Sequence, residues 1–177
     1  MKHKTAKTNF VLILLLISTT VVFFEGCKKD EAPPKVKTKE EELSTIKEPQ
    51  FVKQGELEFL KKDGKSVISK VEIEIADNEE KSQQGLMYRK SMLENRGMLF
   101  IFKKEEQHAF WMKNTLISLD ILFVSADKEI VKIYKNTTPL SEKSLPAQKP
   151  VLYVVEVIAG YTDKYKVNEG DKINFTR

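Results

Sequence analysis

Two acidic residues lie inside segments that are otherwise apolar. Asp120 is in Leu-Asp-Ile-Leu-Phe-Val, and Glu156 is in Val-Val-Glu-Val-Ile. A carboxylate that is removed from water costs several kcal/mol unless it is paired, hydrogen-bonded or protonated. Two carboxylates in different environments are typical of acid–base hydrolysis, in which the drier one stays protonated. The other interpretation is structural: each acid faces solvent from a one-sided strand, or forms a buried ion pair with Arg89 or Lys113.

Trp111 and Lys113 lie two residues apart in Phe-Trp-Met-Lys-Asn-Thr. Side chains alternate along a strand, so Trp111 and Lys113 would share one face and Asn114 would lie on the other. An indole beside an ammonium suits a sugar ring or a peptide, because the ring stacks and the charge holds hydroxyls or termini. The alternative is a core tryptophan with a lysine that extends past it to water.

Arg89 lies four residues after Gly85, in the segment that we predict to be the clearest helix. Asp77 is expected to be its N-cap, Glu80 completes a capping box, and the helix is expected to end at about residues 88–92. Arg89 and Gly85 then share one face, which places the guanidinium over bare backbone and could open a cleft for an anionic or polar ligand. Close packing of the helix on the sheet would use the same glycine.

Together these residues form one candidate ligand-binding set. Its members are Arg89, Trp111, Lys113, Asn114, Asp120 and Glu156. No catalytic residue is assigned, because the sequence has no nucleophile elbow, no phosphate-binding glycine loop and no zinc-ligand spacing. It also lacks the basic, aromatic-interleaved strands of a nucleic-acid platform, so we expect no nucleic-acid partner.

Soft metal ligands are present but scattered. A copper site would have to draw on Met87, Met92, Met98, Met112 and His108. Methionine at strand spacing usually fills a core, and the chain has neither a Met-x-x-Met nor a His-x-x-x-His cluster. We therefore predict no metal site and no cofactor.

Residues 1–26 have the pattern of an export signal. Lysines at positions 2, 4 and 7 precede the uncharged, mostly apolar run from Phe10 to Phe24. That run is shorter than the roughly 20 residues that span a bilayer as a helix. A cleaved signal peptide is therefore favoured over a permanent anchor.

Cys27, the single cysteine of the chain, directly follows this segment. The junction resembles a bacterial lipobox, although Phe24 stands where leucine is usual and Glu25 where a small residue is usual. We predict lipidation at Cys27, which would tie the protein to the bacterial cell envelope, at the outer membrane or facing the periplasm. The alternative is cleavage at another position, with Cys27 a free thiol.

The rest of the chain divides into a tether and one domain. Residues 27–50 mix lysine, glutamate and proline with few bulky apolar side chains, so we expect a disordered tether. Residues 51–177 have a length that suits a single domain with one core. The long loop at Thr137–Pro150 is a candidate binding rim or partner-docking surface.

Alternating patterns within the domain predict about eight strands. They lie at residues 56–60, 67–76, 98–102, 107–112, 117–124, 129–134, 151–158 and 172–175. In the second of these, Val71, Ile73 and Ile75 would form the buried face while Glu72 and Glu74 face water. Many short strands and one clear helix predict a mainly β fold, closed or sandwiched.

Several short segments resemble a prokaryotic family in their order and spacing. They are Gly-Leu-Met-Tyr-Arg at 85–89, Gly-Met-Leu-Phe at 97–100, Phe-Trp-Met-Lys-Asn-Thr at 110–115, Leu-Asp at 119–120, Tyr-Val-Val-Glu-Val at 153–157, Ala-Gly at 159–160 and Gly-Asp at 170–171. From about Val71 to Phe175 the chain resembles the domain of unknown function 192, with Ser118 in place of the usual proline. The resemblance implies a small jelly-roll-like β-barrel or sandwich with one or two short helices, often exported, and no agreed activity.

Three functions follow as hypotheses. The first is an envelope lipoprotein whose β-domain binds a small polar ligand, a glycan or a peptide through the candidate set. The second is a hydrolase that uses Asp120 and Glu156 as acid and base, which requires both carboxyls to be close together. The third is a structural module that docks an envelope-protein partner without catalysis.

Overall fold

The computed structural model describes residues 38, 42 and 45–177. The predicted signal peptide, Cys27 and most of the predicted tether lie outside these residues. Residues 45–177 are mainly β with two short helices, which confirms the predicted fold class. In chain order the elements are β1 (Gly55–Leu60), β2 (Val67–Ala76), α1 (Glu79–Gln84), β3 (Arg96–Glu106), β4 (Ala109–Phe110), β5 (Leu119–Val124), β6 (Ile130–Tyr134), β7 (Leu145–Pro146), β8 (Val151–Ile158), α2 (Tyr161–Tyr165) and β9 (Lys172–Thr176).

Seven strands form one mixed sheet in the order β6-β5-β8-β3-β2-β1-β9, and β4 pairs with β7 in a second sheet. β2 and β3 are parallel, whereas the other neighbouring strands are antiparallel. An isolated bridge between Glu129, just before β6, and Lys172, at the start of β9, connects the two edges of the large sheet. The sheet therefore curls until its edges meet at one point, in a sandwich-like arrangement.

The turn between β1 and β2 forms as the Asp63-Gly64 pair predicts. Gly64 has a φ of 66°, which glycine adopts without a steric penalty. One carboxylate oxygen of Asp63 accepts hydrogen bonds from the N–H groups of Lys65 and Ser66, at 2.8 and 2.9 Å. The Ser66 hydroxyl donates to the other oxygen at 2.6 Å, and this bond, together with the two from the N–H groups, lowers the pKa of Asp63 to about 2. The charged aspartate thus holds the hairpin in register.

The first helix begins one residue later and ends earlier than the sequence predicts. Asn78, not Asp77, is the N-cap, and its side chain accepts a hydrogen bond from the Lys81 N–H at 2.9 Å. The helix ends at Gly85, whose φ of 47° is outside the helical range. Arg89 consequently lies in the loop after α1 and does not share a helix face with Gly85.

Each face of the large sheet is covered by its own apolar cluster. One face buries Leu57, Ile73, Leu99, Leu122, Val155 and Val157 among others, and the α2 residue Tyr161 packs on it. The other face buries Met98, Phe100, Ile121, Phe123 and Val154, covered by Leu86 and Met112 from loops. Strand β5 is buried along its whole length, which explains why its sequence is apolar without alternation.

The segment after β3 differs from its predicted form. Of the strand predicted at residues 107–112, only Ala109–Phe110 is paired, with Leu145–Pro146 of the long loop. The chain then turns at Asn114, whose φ is 56°. Trp111 and Lys113 therefore leave the sheet and lie on a turn at the domain surface.

Candidate functional site

A groove of about 860 Å³ lies between the α1–Gly85 segment and strands β3 and β4. Four of the six candidate residues line it, namely Trp111, Lys113, Asn114 and Glu156. Phe100, Phe102 and Phe110 form an aromatic wall, with ring centroids of Phe100 and Phe110 4.9 Å apart and nearly perpendicular. The groove therefore combines an apolar wall with a small number of polar groups, as ligand pockets commonly do.

The mouth of the groove carries the indole and the ammonium. Trp111 is 49% exposed, and the Lys113 Nζ lies 5.0 Å from the centroid of its ring, within cation–π distance. Asn114 donates a hydrogen bond from Nδ2 to the Tyr88 hydroxyl at 3.0 Å. The main-chain carbonyl of Asn114 accepts a second hydrogen bond, from the Tyr88 N–H at 2.9 Å. These contacts fix the turn, so the indole is presented on an ordered segment.

The inner end of the groove is formed by Glu156. Only 5% of this residue is exposed, and its Oε2 has no hydrogen-bond partner among the described residues. Gly85 faces it: a Cβ at this position would lie 3.2 Å from the Phe100 ring and 3.9 Å from Glu156 Oε2. Burial raises the pKa of Glu156 to about 8, although the nearby positive charge of Arg89 acts in the opposite direction. The groove thus contains a carboxyl group that stays largely protonated at neutral pH.

Arg89 is not free to bind a ligand, because it is paired inside the protein. Its NH2 lies 2.6 Å from Glu74 Oε2, and both side chains are buried. The Arg89 N–H is not directed at Glu74 Oε2 as a hydrogen bond requires, so the contact is an ion pair that is held mainly by charge. The other oxygen of Glu74 accepts a hydrogen bond from the Val52 N–H at 3.2 Å. The prediction that Glu74 faces water is therefore wrong: the loop carrying Arg89 folds over it.

Asp120 has a structural position. It is fully buried, and its carboxylate accepts four hydrogen bonds, from the N–H groups of Asn136, Gly160 and Thr162 and from the Thr162 hydroxyl. The Thr162 hydroxyl makes the shortest of these bonds, at 2.7 Å. These four donors satisfy the hydrogen-bonding needs of the buried carboxylate within the protein. Asp120 does not line the groove, and its bonds anchor the start of α2 and the end of β6 to β5.

The register of β5 and β8 places the two acids on opposite faces of the sheet. Asp120 is paired with Val157, and Glu156 is paired with Ile121. Directly paired residues share a face, and successive residues alternate. Asp120 thus faces the cluster that contains Val157, whereas Glu156 faces the cluster that contains Ile121. A hydrolytic mechanism that uses this pair as acid and base is excluded by the geometry.

The sequence also missed His108 as a groove residue. Its ring stacks on Phe102 with centroids 3.6 Å apart, and its Nε2 is buried without a hydrogen-bond partner among the described residues. His108 has no second histidine and no cysteine close to it in the sequence. The one available signal was its position six residues after Phe102, just beyond the end of β3. His108 adds a second shielded polar atom to the groove.

Three of the candidate copper ligands, Met92, Met98 and Met112, belong to one apolar cluster of the core. Met98 and Met112 are buried in the core, and Met112 Sδ accepts a hydrogen bond from the Thr137 hydroxyl at 3.2 Å. Within residues 45–177 no three histidine, cysteine or acidic side chains are grouped closely enough to hold a metal ion. Across the same residues, none of the helices has the length and hydropathy needed to cross a bilayer.

The sequence model of the family described as "Uncharacterized ACR", the domain of unknown function 192, matches residues 59–175. The chain belongs to this family. The match begins at β1, earlier than the resemblance from about Val71 indicated, and it includes the groove and all six candidate residues. No curated protein matches the chain.

Two solved structures are similar to this member of the domain of unknown function 192 family. A protein of Sinorhizobium meliloti 1021, described as a candidate transcription regulator, is 32% identical with a TM-score of 0.66, over 72% of this chain and 98% of that one. A protein of unknown function from Novosphingobium aromaticivorans DSM 12444 is 31% identical with a TM-score of 0.63, over 67% of this chain and 83% of that one. Both likenesses support the β fold described above.

Proposed function

We propose that the domain binds a small ligand, such as a glycan or peptide fragment, in the groove, as part of a lipoprotein of the bacterial cell envelope. The observation that carries this proposal is the pairing of an exposed indole at the groove mouth with an unpartnered buried acid at its inner end. Neither group contributes fully to stability in the unliganded protein: Trp111 leaves much of its ring in water, and Glu156 leaves one oxygen unsatisfied. A ligand that covers the indole and bonds to Glu156 would satisfy both.

The size of the groove agrees with this function. Its volume of about 860 Å³ lies within the range of roughly 300–1,000 Å³ that is usual for small-molecule sites. The ring of Trp111 offers a flat surface for a sugar or an amide plane, and Lys113 beside it offers donors to hydroxyls or carbonyls. The phenylalanine wall provides the apolar contact area that such ligands need for affinity.

The charges at the groove give little support to a nucleic-acid ligand. Lys103, Lys104 and Lys113 line it, and they are matched by three acids, Asp77, Glu79 and Glu106. Binding of a polyphosphate backbone calls for a basic stripe with few acids. The regulatory description of the Sinorhizobium meliloti protein therefore does not favour a role on DNA for this groove.

The hypothesis of a partner-docking loop is also less favoured, because the loop at 137–150 supports the groove. Its Ser141 carbonyl accepts a hydrogen bond from the Met112 N–H at 2.8 Å, and its Leu140 N–H donates to the Thr115 carbonyl at 3.0 Å. The Ala147 N–H donates to the His108 carbonyl at 2.9 Å. These bonds hold the segment that carries Trp111 in place, so the loop supports the binding groove.

A direct test uses Trp111 as an internal reporter, since it is the single tryptophan of the chain. We expect the indole emission of the purified full chain to shift when the right glycan or peptide from an array is added. Trp111→Ala should weaken binding on the array by about 10-fold or more, because stacking on an aromatic ring contributes on the order of 1–3 kcal/mol. Val67→Ala is the matched control, since Val67 is exposed to a similar extent, is not a groove residue and should not alter binding.

One outcome of the array experiment would contradict the proposal. If the folded wild-type chain and Trp111→Ala give the same binding to every glycan and peptide, the groove is not the binding site for these classes. The proposal would then be abandoned in favour of the structural module.

The envelope location rests on Cys27 and is tested separately. Cys27→Ala is expected to move the protein from the membrane fraction to the soluble fraction of cells, because the predicted acyl chains would have no attachment point. Fractionation followed by immunoblotting measures this change, with Thr45→Ala in the tether as control. Membrane retention of Cys27→Ala that equals wild type would show that Cys27 does not anchor the protein.

A further inference from the structure

At the inner end of the groove, the Glu156 side chain is surrounded mainly by apolar groups. On the neighbouring strands Met98 of β3 and Ile121 of β5 are its direct partners, and both are apolar. The backbone of Gly85 and the ring of Phe100 lie over the carboxyl. The unpartnered Oε2 is therefore shielded from water, and its nearest neighbours on these elements are apolar.

Two charged side chains from other elements lie near Glu156, and they form an ion pair with each other. Arg89 comes from the loop after α1, and Glu74 comes from β2, in the same row of the sheet as Met98 and Glu156. Arg89 forms its ion pair with Glu74 at 2.6 Å, and no cation among the described residues is within ion-pair distance of Glu156. The remaining titratable residues of the groove are its lysines, His108 and the three acids already named. Glu156 consequently has no ion-pair partner among the described residues, and the charge of Arg89 acts on it only from beyond ion-pair distance.

These observations identify the chemistry of the ligand end that fits. We propose that the groove selects ligands whose buried end is an uncharged hydrogen-bond acceptor, such as an amide or a hydroxyl, held by the carboxylic acid of Glu156. This inference rests on the proposed function and makes Glu156 the residue that determines specificity within that site. The apolar or ring-shaped part of the ligand then lies along Phe100 and Phe110 toward Trp111.

A charged ligand end is disfavoured for two different reasons. With a pKa of about 8, Glu156 is protonated about tenfold more often than ionised at pH 7. A cation would have to displace that proton before it could form an ion pair, so its binding is reduced by about that factor. An anion would be taken out of water beside an acid with no cation in contact, which is costly at any pH.

The test uses three aromatic probes of nearly equal shape: benzamide, benzamidinium and benzoate. Dissociation constants for the full chain are measured by ligand-observed NMR at pH 7 and pH 9. At pH 7 we expect benzamide to bind more tightly than either charged probe. At pH 9 Glu156 loses its proton, so benzamidinium should gain about tenfold while benzamide weakens.

Two variants separate Glu156 from the rest of the groove. Glu156→Gln keeps the shape and a donor group, so it should retain benzamide binding and lose the pH dependence of all three probes. Glu80→Gln removes an exposed carboxylate that does not line the groove and should leave both the selectivity and its pH dependence as in wild type.

The outcomes distinguish this inference from the proposed function. If benzamidinium or benzoate binds as tightly as benzamide at pH 7, or if Glu156→Gln leaves the pH dependence intact, the selection of an uncharged end is wrong while the groove remains a ligand site. Failure of all three probes to bind also overturns the inference. The proposed function is in that case decided by the glycan and peptide array.

Discussion

Replacing Asp120 by alanine is expected to lower the free energy of unfolding by about 3–5 kcal/mol. The substitution leaves four donors without an acceptor, three of them backbone N–H groups at Asn136, Gly160 and Thr162. Asp120 itself is fully buried, and so are its two bonds to Thr162, so the substitution removes an acceptor from the interior of the fold. Urea unfolding followed by circular dichroism measures the change.

Two further variants make the Asp120 result specific. Asp120→Asn keeps the shape and one acceptor oxygen, so its loss of stability should be smaller than that of alanine. Asp127→Ala removes an exposed acid from the turn before β6 and should change stability by less than about 0.5 kcal/mol. A stable Asp120→Ala protein with weakened ligand binding would contradict the structural role and restore Asp120 to the candidate site.

The second large effect is a loss of stability as the pH rises. The pKa of Glu156 is raised from its ordinary value of 4.5 to about 8 in the folded protein. The folded state therefore holds a proton that the unfolded chain releases, so the stabilisation is complete below pH 4.5 and is lost as the pH rises to about 8. Between pH 5 and pH 9 the free energy of unfolding should fall by about 4 kcal/mol from this residue.

Glu156→Gln provides the comparison, because glutamine does not ionise. Urea unfolding of wild type and Glu156→Gln at pH 5, 7 and 9 should give curves that diverge, with the variant the more stable at pH 9. Asp63 acts in the opposite sense, since its lowered pKa stabilises the fold above pH 3.8 and this support is lost only as the pH falls toward about 2. Equal pH slopes for both proteins would mean that Glu156 is not shielded as the structure indicates.

Much of the fold could be predicted because it depends on local signals. The Asp63-Gly64 turn and the alternating apolar residues of β2 are read from neighbouring positions in the chain, and both predicted the hairpin correctly. The end of α1 was harder to predict, because the sequence does not show whether a glycine inside a helical pattern has a helical or a positive φ. Gly85 adopts 47°, and the residues up to Arg89 leave the helix as a result.

The roles of the buried charged residues could not be predicted, because they depend on contacts between distant positions. Asp120 is bound by backbone groups 16 to 42 residues away along the chain. Glu74 follows the alternation of a half-exposed strand and is buried only because Arg89 folds over it. The sequence therefore identified Glu156 and Trp111 as unusual, while the grouping of the six candidates into site and scaffold required the structure.

The most direct test of the groove as a ligand site is a crystal structure of the chain with the tightest ligand from the array. We predict that the ligand stacks on the Trp111 ring and that a polar atom of its buried end lies within about 2.5–3.2 Å of Glu156 Oε2. Density for the ligand at another surface, with the groove empty and Glu156 still without a partner, would contradict this account.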